Sequence, residues 1–177
     1  PLLVKRGFKG DVYCTGATSR LCSIMFPDAG HIQEMETEWA NRKRKRAGKK
    51  KIEPLYGVED AKKAIRYLKP INYDELIKVY DDVSVRFIDA GHLLGSASIE
   101  LFAEGKTLVF SGDIGNKDKP IIKDPTYIED ADYVFMESTY GDRNHEELIP
   151  TREQLKDVLI AALKRGGNIV IPSFERS

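Results

Sequence analysis

Residues 83–113 read VSVRFIDAGHLLGSASIELFAEGKTLVFSGD, and this segment carries the strongest secondary-structure signal of the chain. β-Branched and aromatic residues alternate with polar ones, which predicts strands at Val83–Ile88, Ser98–Phe102 and Lys106–Phe110. Ala103–Lys106 contains Glu-Gly between the last two strands and predicts a hairpin turn. The segment therefore predicts a strand-rich body for this part of the chain.

The flanking sequence predicts both helices and strands. Further strands are expected at Val12–Cys14, Leu76–Val79, Tyr133–Met136, taken as short and buried, and Asn168–Pro172. Helices are expected after a turn with an N-cap at Thr15–Thr18 to near Pro27, from Ile32 to about Arg46, at Val58–Leu68 before Pro70, and at Thr151–Leu163 with a capping box. The fold class is mixed α/β (α+β). An α/β sandwich is favoured over a doubly wound parallel sheet, because the sequence has no glycine-rich dinucleotide or phosphate loop.

Composition excludes several classes of protein. The 177 residues are 41% hydrophobic and 32% charged, which is ordinary for a globular domain. No apolar run approaches the roughly 20 residues that a membrane-spanning helix needs, and no secretory leader is visible. The two cysteines, Cys14 and Cys22, predict reduced thiols in a cytoplasmic protein, with a disulfide or a structural zinc as the alternatives.

The charge is balanced overall but unevenly distributed. Arg42 to Lys51 holds eight basic residues and no acidic one, whereas the rest of the chain has 20 basic and 28 acidic groups. Such a cationic run points to a polyanionic partner, and a solvated loop is the alternative. We expect the run to be an exposed, mobile loop and Trp39 to pack in the core or against a helix.

Three side chains with reactive potential lie at or beyond the ends of predicted strands. His92 lies between two glycines and could bind a divalent metal, or simply form a hydrogen bond in a tight turn. Asp113 could bridge two metal ions, or make a turn. Glu137 could hold a proton for a leaving group, or cap the turn that follows it.

The three motifs together resemble the metallo-β-lactamase superfamily, and in particular the β-CASP RNA-processing nucleases. Ala90–Ala97 (AGHLLGSA) resembles the third metal motif of that family, Ser111–Asp113 (SGD) the fourth, and Glu137–Gly141 (ESTYG) the motif A that marks the β-CASP branch. Gly167–Phe174 resembles the strand that precedes the inserted β-CASP domain. This family includes the endonuclease of the cleavage and polyadenylation machinery and its prokaryotic relatives.

The resemblance implies a four-layer αββα sandwich and a zinc-dependent ribonuclease with two ions per intact site. His92 and Asp113 would be metal ligands, and Glu137 would belong to the apparatus that protonates the leaving oxygen. A metal-bound hydroxide would attack the RNA phosphodiester. Candidate contacts to single-stranded RNA are Ser138, Thr139 and the basic residues Arg42, Lys43, Arg44, Lys45 and Arg46.

The sequence lacks two parts of the family pattern. It contains neither the HxHxDH motif nor the β-CASP domain, so we expect residues 1–177 to be a partial metallo-β-lactamase domain that is inactive alone. The alternatives are a non-catalytic scaffold or RNA-binding relative of these nucleases, and another hydrolase of the superfamily that acts on thioesters or small phosphoesters. No membrane partner is expected, and homodimerisation stays open.

Overall fold

The structure is a computed structural model that describes residues 1–144 and 148–172. The chain divides into two compact units, Pro1–Glu137 and Ser138–Ser177. Helices and strands both occur, which confirms the mixed α/β class. The four-layer sandwich stays a prediction.

The first unit opens with a helical layer and a small sheet. Its elements are α1 (Leu2–Lys5), β1 (Val12–Thr15), α2 (Gly16–Arg46), α3 (Val58–Ile65) and β2 (Leu68–Ile71). Strands β1 and β2 pair in parallel. Thr15 is the N-cap of α2, and its side-chain oxygen accepts a hydrogen bond from the Thr18 N–H at 3.2 Å.

Helix α2 corrects two predictions, because the helix expected to end near Pro27 and the one expected from Ile32 form one helix. A proline inside a helix removes one hydrogen bond and costs about 3 kcal/mol. Packing against α3 compensates for this loss: Gly30 is buried so closely that an added Cβ would lie 2.9 Å from the Gly57 carbonyl carbon. The predicted helix end near Arg46 is confirmed, and the prediction of a mobile loop is therefore wrong for Arg42–Arg46.

Helix α3 is shorter than predicted, because it ends at Ile65 and Leu68–Ile71 forms β2. Pro70 lies within β2, opposite Cys14 of β1, instead of ending a helix. Within the described residues β2 pairs with β1 alone. A proline is accepted there because an edge strand need not donate every N–H to the sheet.

The second sheet confirms the strand predictions in the central segment. Its order is β3-β4-β5-β6-β7, with bounds Ile77–Tyr80, Val83–Asp89, Ala97–Ala103, Lys106–Phe110 and Tyr133–Phe135. All neighbours are antiparallel except β6 and β7, which run parallel. Glu104 (φ +51°) and Gly105 (φ +69°) form the predicted hairpin turn, with the positive φ angles typical of tight hairpins.

The core of this sheet lies on its central strands. Buried side chains include Val85, Phe87 and Ile88 of β4 and Val109 of β6. The prediction that Tyr133–Met136 forms a buried strand is wrong in its burial, since Tyr133, Val134 and Phe135 are each more than half exposed. Strand β7 is the last strand in the sheet order and has β6 as its partner, so its side chains are less covered than those of the central strands.

The second unit contains α4 (Leu148–Arg165). The helix starts three residues before Thr151, so the predicted N-cap and capping box at that residue are wrong; it ends just before Gly166, close to the predicted end. The predicted strand Asn168–Pro172 is also wrong, because these residues are not in a strand. His145 and the Ser173 and Phe174 of the family-like end segment lie outside the described residues.

No helix in the described part of the chain is long and apolar enough to cross a membrane.

Candidate functional site

The topology brings the three predicted residues to one edge of the five-stranded sheet. Strands β4 and β6 both run antiparallel to β5, and β7 runs parallel to β6. The carboxyl ends of β4, β6 and β7 therefore point the same way. His92, Asp113 and Glu137 follow these three ends by two or three residues each, so one sheet edge carries all of them.

The His92 loop is shaped by side-chain hydrogen bonds to its own backbone. Asp89, the last residue of β4, accepts a hydrogen bond from the Gly91 N–H at 2.9 Å. The Ser96 hydroxyl accepts from the N–H groups of both His92 and Leu93, each at 3.1 Å. Short polar side chains commonly shape turns in this way. The imidazole is thereby presented at a defined point, with its side chain about one-third exposed.

The far side of this loop is fixed to the start of α2. The Gly95 carbonyl accepts hydrogen bonds from the hydroxyls of Thr15 at 2.8 Å and Thr18 at 3.0 Å. Gly95 has φ +92°, and an added Cβ would lie 2.8 Å from the Ala17 Cβ. A side chain at position 95 would therefore be excluded both by backbone conformation and by space.

The Asp113 loop is held by Ser111, which is 4% exposed. The Ser111 N–H donates to the Phe135 carbonyl at 2.9 Å and continues the pairing of β6 with β7. The Ser98 hydroxyl donates to the Ser111 carbonyl at 2.8 Å. The Asp113 side chain beyond this anchor is 70% exposed and is available to a ligand.

Glu137 is half-buried and contacts the Asp113 loop directly. Its Oε1 accepts a hydrogen bond from the Ile114 N–H at 2.7 Å, and its own N–H donates to the Ser111 hydroxyl at 3.1 Å. Glu137 therefore joins the loops after β6 and β7. It caps the Asp113 loop, and the alternative that it caps the turn at Ser138–Thr139 stays a prediction.

His92 and Asp113 face each other across a short gap. The His92 Nε2 and Asp113 Oδ2 atoms are 3.9 Å apart, which is too long for a hydrogen bond. The Gly115 N–H donates to the Ala90 carbonyl at 2.8 Å, which ties the two loops together. The separation of the two side chains is therefore set by the loops around them.

The distance between the His92 and Asp113 side chains shows whether the two could share a metal ion. An ion bonded to a nitrogen and an oxygen at about 2.1 Å each holds these atoms about 3.4 Å apart in the tetrahedral geometry of zinc, and about 4.2 Å apart at most. The His92–Asp113 separation of 3.9 Å lies between these two values. However, the described residues contain no group of three or more His, Cys, Asp or Glu side chains that could hold a metal. The pair thus fits part of a metal site, and the described residues do not complete one.

The candidate RNA contacts are distributed over both units. Arg42–Arg46 are the last five residues of α2 in the first unit, where Arg44 is half-buried and the other four side chains are exposed. Ser138 and Thr139 are exposed and belong to the second unit. These residues stay candidate contacts.

Comparison with known proteins shows what the chain is similar to. No protein-family model matches the chain. Ribonuclease TTHA0252 of Thermus thermophilus is 36% identical over 98% of this chain and 36% of its own length. An RNase J-like protein of Methanocaldococcus jannaschii is 29% identical over 92% of this chain and 35% of its own length. Transcription termination factor FttA of Methanothermobacter thermautotrophicus is 29% identical over 98% of this chain and 26% of its own length.

The chain is a relative of the β-CASP nucleases. The similarity runs through nearly all of its residues, so it includes the three motifs on which the resemblance rests. The chain spans between 26% and 36% of the length of these three curated relatives. A site in this β-CASP relative can therefore be one part of a larger one.

The sequence identifies the three candidate side chains but not the residues that position them. Ser96 and Ser111 lie inside the quoted motifs, and their short hydroxyl side chains beside glycine are the signal that could have identified them. Thr15 and Thr18 are about 80 residues away from Gly95 in sequence. Nothing in the local pattern of the sequence connects them to the site.

Proposed function

We propose that the whole protein that carries this sequence is a zinc-dependent ribonuclease that hydrolyses RNA phosphodiester bonds. The observation that carries this proposal is the approach of His92 Nε2 to Asp113 Oδ2 at 3.9 Å. A cation shared by two side chains needs their ligand atoms within about 4.2 Å of each other, which this pair satisfies. The names of the relatives, ribonuclease and RNase J-like protein, support RNA as the substrate.

Each residue of the site has a defined part in this proposal. His92 and Asp113 would bind metal, with further ligands from residues outside those described. When bound, zinc supplies a hydroxide nucleophile at neutral pH. The loops around Ser96 and Ser111 hold the two ligands before an ion arrives, which lowers the entropic cost of binding.

Glu137 has a positioning part and a proposed chemical part. The hydrogen bond from the Ile114 N–H uses one oxygen of the carboxylate and orients the group toward the Asp113 loop. We assign to this carboxylate the protonation of the leaving oxygen, in concert with groups of the larger protein.

A non-catalytic RNA-binding relative is the second candidate. One observation favours it: the described residues hold two candidate ligands and no cluster of three. In addition, one relative is named transcription termination factor FttA and not ribonuclease. Both candidates predict RNA binding, and they differ in metal-dependent cleavage.

The deciding experiment incubates the whole protein with end-labelled single-stranded RNA, with added zinc or with a chelator. We expect cleavage with zinc, loss of cleavage with the chelator, and a fall of at least about 100-fold in Asp113→Ala, because several kcal/mol of transition-state stabilisation would be lost. Asp82→Ala is the matched control, since Asp82 is an exposed carboxylate before the start of β4, at the opposite edge of the sheet.

Full RNA cleavage by the Asp113→Ala variant would overturn the assignment of Asp113 as a metal ligand needed for cleavage. Absence of cleavage by the zinc-loaded whole protein, with RNA binding intact, would select the non-catalytic candidate.

A further inference from the structure

The carboxyl-terminal end of α2 forms a cationic surface far from the sheet edge. It consists of the eight basic residues that run from Arg42 to Lys51, which we call the cationic cap: Arg42, Lys43, Arg44, Lys45, Arg46, Lys49, Lys50 and Lys51. The exposed Trp39 lies one turn before it on the same helix. Arg42–Arg46 are helical, so this surface has a better-defined shape than a basic loop would have.

A helix-ending motif fixes the turn in the middle of the cap. Gly48 has φ +67°, its N–H bonds to the Lys45 carbonyl at 3.2 Å, and the Lys49 N–H bonds to the Arg44 carbonyl at 2.9 Å. These two bonds form a Schellman motif, in which glycine takes the left-handed conformation. The chain therefore reverses at Gly48 with a set geometry.

The residues after the turn are bound back onto α2. The Asn41 side-chain amide donates to the Ile52 carbonyl and accepts from the Ile52 N–H, both at 2.8 Å. The Arg44 Nε donates to the Lys50 carbonyl at 2.6 Å. These bonds use backbone groups of the returning segment, and the Lys49, Lys50 and Lys51 side chains are exposed.

The positive charge of the cap is poorly compensated by the protein. Arg42 is 3.8 Å from Glu38, and both side chains are more than 70% exposed, so this pair is weak. Among the described residues, Lys45, Arg46 and the three lysines after the turn make no ion pair. A preformed group of cations without counter-charges attracts a polyanion.

Trp39 adds an aromatic group to this cationic surface. Its side chain is 60% exposed, whereas the sequence predicted packing in the core or against a helix. The Lys43 ammonium lies 3.6 Å from the centre of the indole ring. Exposed aromatic rings beside basic side chains are what single-stranded nucleic acid uses, since bases stack on the rings while phosphates contact the cations.

Helix α2 connects this surface to the candidate site. Its first residues bind the Gly95 carbonyl of the His92 loop, and the cap lies at its other end. A 31-residue helix is about 45 Å long at 1.5 Å per residue. The cap is therefore about 40 Å from Thr15 along the helix, which corresponds to roughly 12 nucleotides at 3.4 Å per stacked nucleotide.

We propose that Trp39 and the cationic cap form a binding surface for single-stranded RNA that is separate from the His92–Asp113 site. One base stacks on Trp39 while neighbouring phosphates contact Lys49, Lys50 and Lys51. The surface holds the strand at a distance from the sheet edge, so RNA longer than about 12 nucleotides can occupy both places. The proposal rests on the proposed function only for the choice of RNA as the ligand.

Tryptophan fluorescence reports on this surface, because Trp39 is the only tryptophan of the chain. The experiment titrates the 177-residue protein with 20-nucleotide and 4-nucleotide oligouridylates in a chelator, and follows tryptophan fluorescence at several salt concentrations. We expect the 20-mer to quench Trp39 and to bind more tightly than the 4-mer. Because the buffer holds a chelator, the result is independent of cleavage and of the Asp113→Ala outcome.

Two sets of variants test which residues bind. Removing three phosphate contacts by Lys49→Ala, Lys50→Ala and Lys51→Ala together lowers the slope of log K against log salt by about 2, at about 0.7 per contact. The matched control changes Lys9, Lys63 and Lys78 to Ala, since these lysines are exposed and lie outside the cap. Trp39→Leu weakens binding of a dye-labelled 20-mer by about 5- to 150-fold, measured by anisotropy.

Several results would overturn the proposal. These are RNA binding without a change in Trp39 fluorescence, an equal loss of salt slope in the control, and full affinity in Trp39→Leu. Equal quenching by poly-glutamate at the same charge concentration would also overturn it, because the surface would then accept any acidic polymer, including an acidic protein. Circular dichroism of each variant checks that α2 is intact.

Discussion

Replacement of Gly95 by alanine tests how tightly the His92 loop is attached to α2. Gly95 has φ +92°, and an added Cβ would be 2.8 Å from the Ala17 Cβ and 2.9 Å from the Thr15 Oγ1. A matched control position is Gly105 in the β5–β6 hairpin. It also has a positive φ, +69°, but an added Cβ there would meet nothing within 4 Å.

The expected difference in the free energy of unfolding between the two variants follows from the surroundings of the two glycines. An L-residue in the left-handed region costs about 1–2 kcal/mol, and this cost applies to both variants. Overpacking costs a further 1–3 kcal/mol or so, and it applies only at Gly95. The loss of freedom in the unfolded chain is the same for each substitution and cancels. Gly95→Ala should therefore lower the free energy of unfolding by about 1–3 kcal/mol more than Gly105→Ala.

Urea unfolding followed by circular dichroism measures this difference. With a slope of about 2 kcal/mol per molar urea, the midpoint of Gly95→Ala should lie about 0.5–1.5 M below that of Gly105→Ala. Adding Ala17→Gly to Gly95→Ala removes one of the close contacts, so the two changes should be less than additive. Equal midpoints for the two glycine variants would refute the inferred contact between the loop and the helix.

Three further predictions concern single side chains. Arg86→Met should destabilise the protein by about 1–3 kcal/mol in urea unfolding, because Glu100 is 3% exposed and would lose the guanidinium bonded to it, while the 41% exposed Arg86 side chain already shares that bond with water; a loss below about 0.5 kcal/mol would contradict this. In the whole protein, Glu137→Gln should keep the stability of the wild type, since an amide oxygen can still accept from the Ile114 N–H, while RNA cleavage falls at least about 100-fold; unchanged cleavage would exclude a proton-handling role. Burial raises the pKa of the Cys14 thiol, so a thiol reagent should modify it slowly at neutral pH and rapidly in urea, and fast modification of the folded protein would contradict that burial. The stability that comes from keeping this thiol neutral is complete below about pH 9.0, the ordinary value, and is lost as the pH rises through the higher folded-state pKa.

The central sheet was predictable because its signals are local. Alternation of apolar and polar residues identified β4, β5 and β6 to within about one residue, and Glu104-Gly105 identified the hairpin between the last two. His92, Asp113 and Glu137 were recognisable for the same reason, since each motif lies within a few residues of a strand end. Such features depend on neighbours along the chain.

The errors occurred where distant residues decide the conformation. Pro27 is a strong local signal for a helix end, yet α2 continues through it because Gly30 packs against Gly57. Pro70 was expected to end a helix, and pairing with β1 places it in a strand instead. The exposure of Trp39 depends on what else covers α2, which helical spacing does not reveal.

Local patterns along the chain identify the side chains that could be reactive and the strands that they follow. Their arrangement in space comes from contacts between distant segments: the Glu137 carboxylate bonds to Ile114, 23 residues earlier, because β6 and β7 pair in parallel. The tertiary structure also turned the basic run into a shaped surface, through the bonds of Asn41 to Ile52 and of Arg44 to Lys50. The physical reason is that a hydrogen bond or a close contact depends on position in space, and the spacing of residues along the chain constrains that position only within one element.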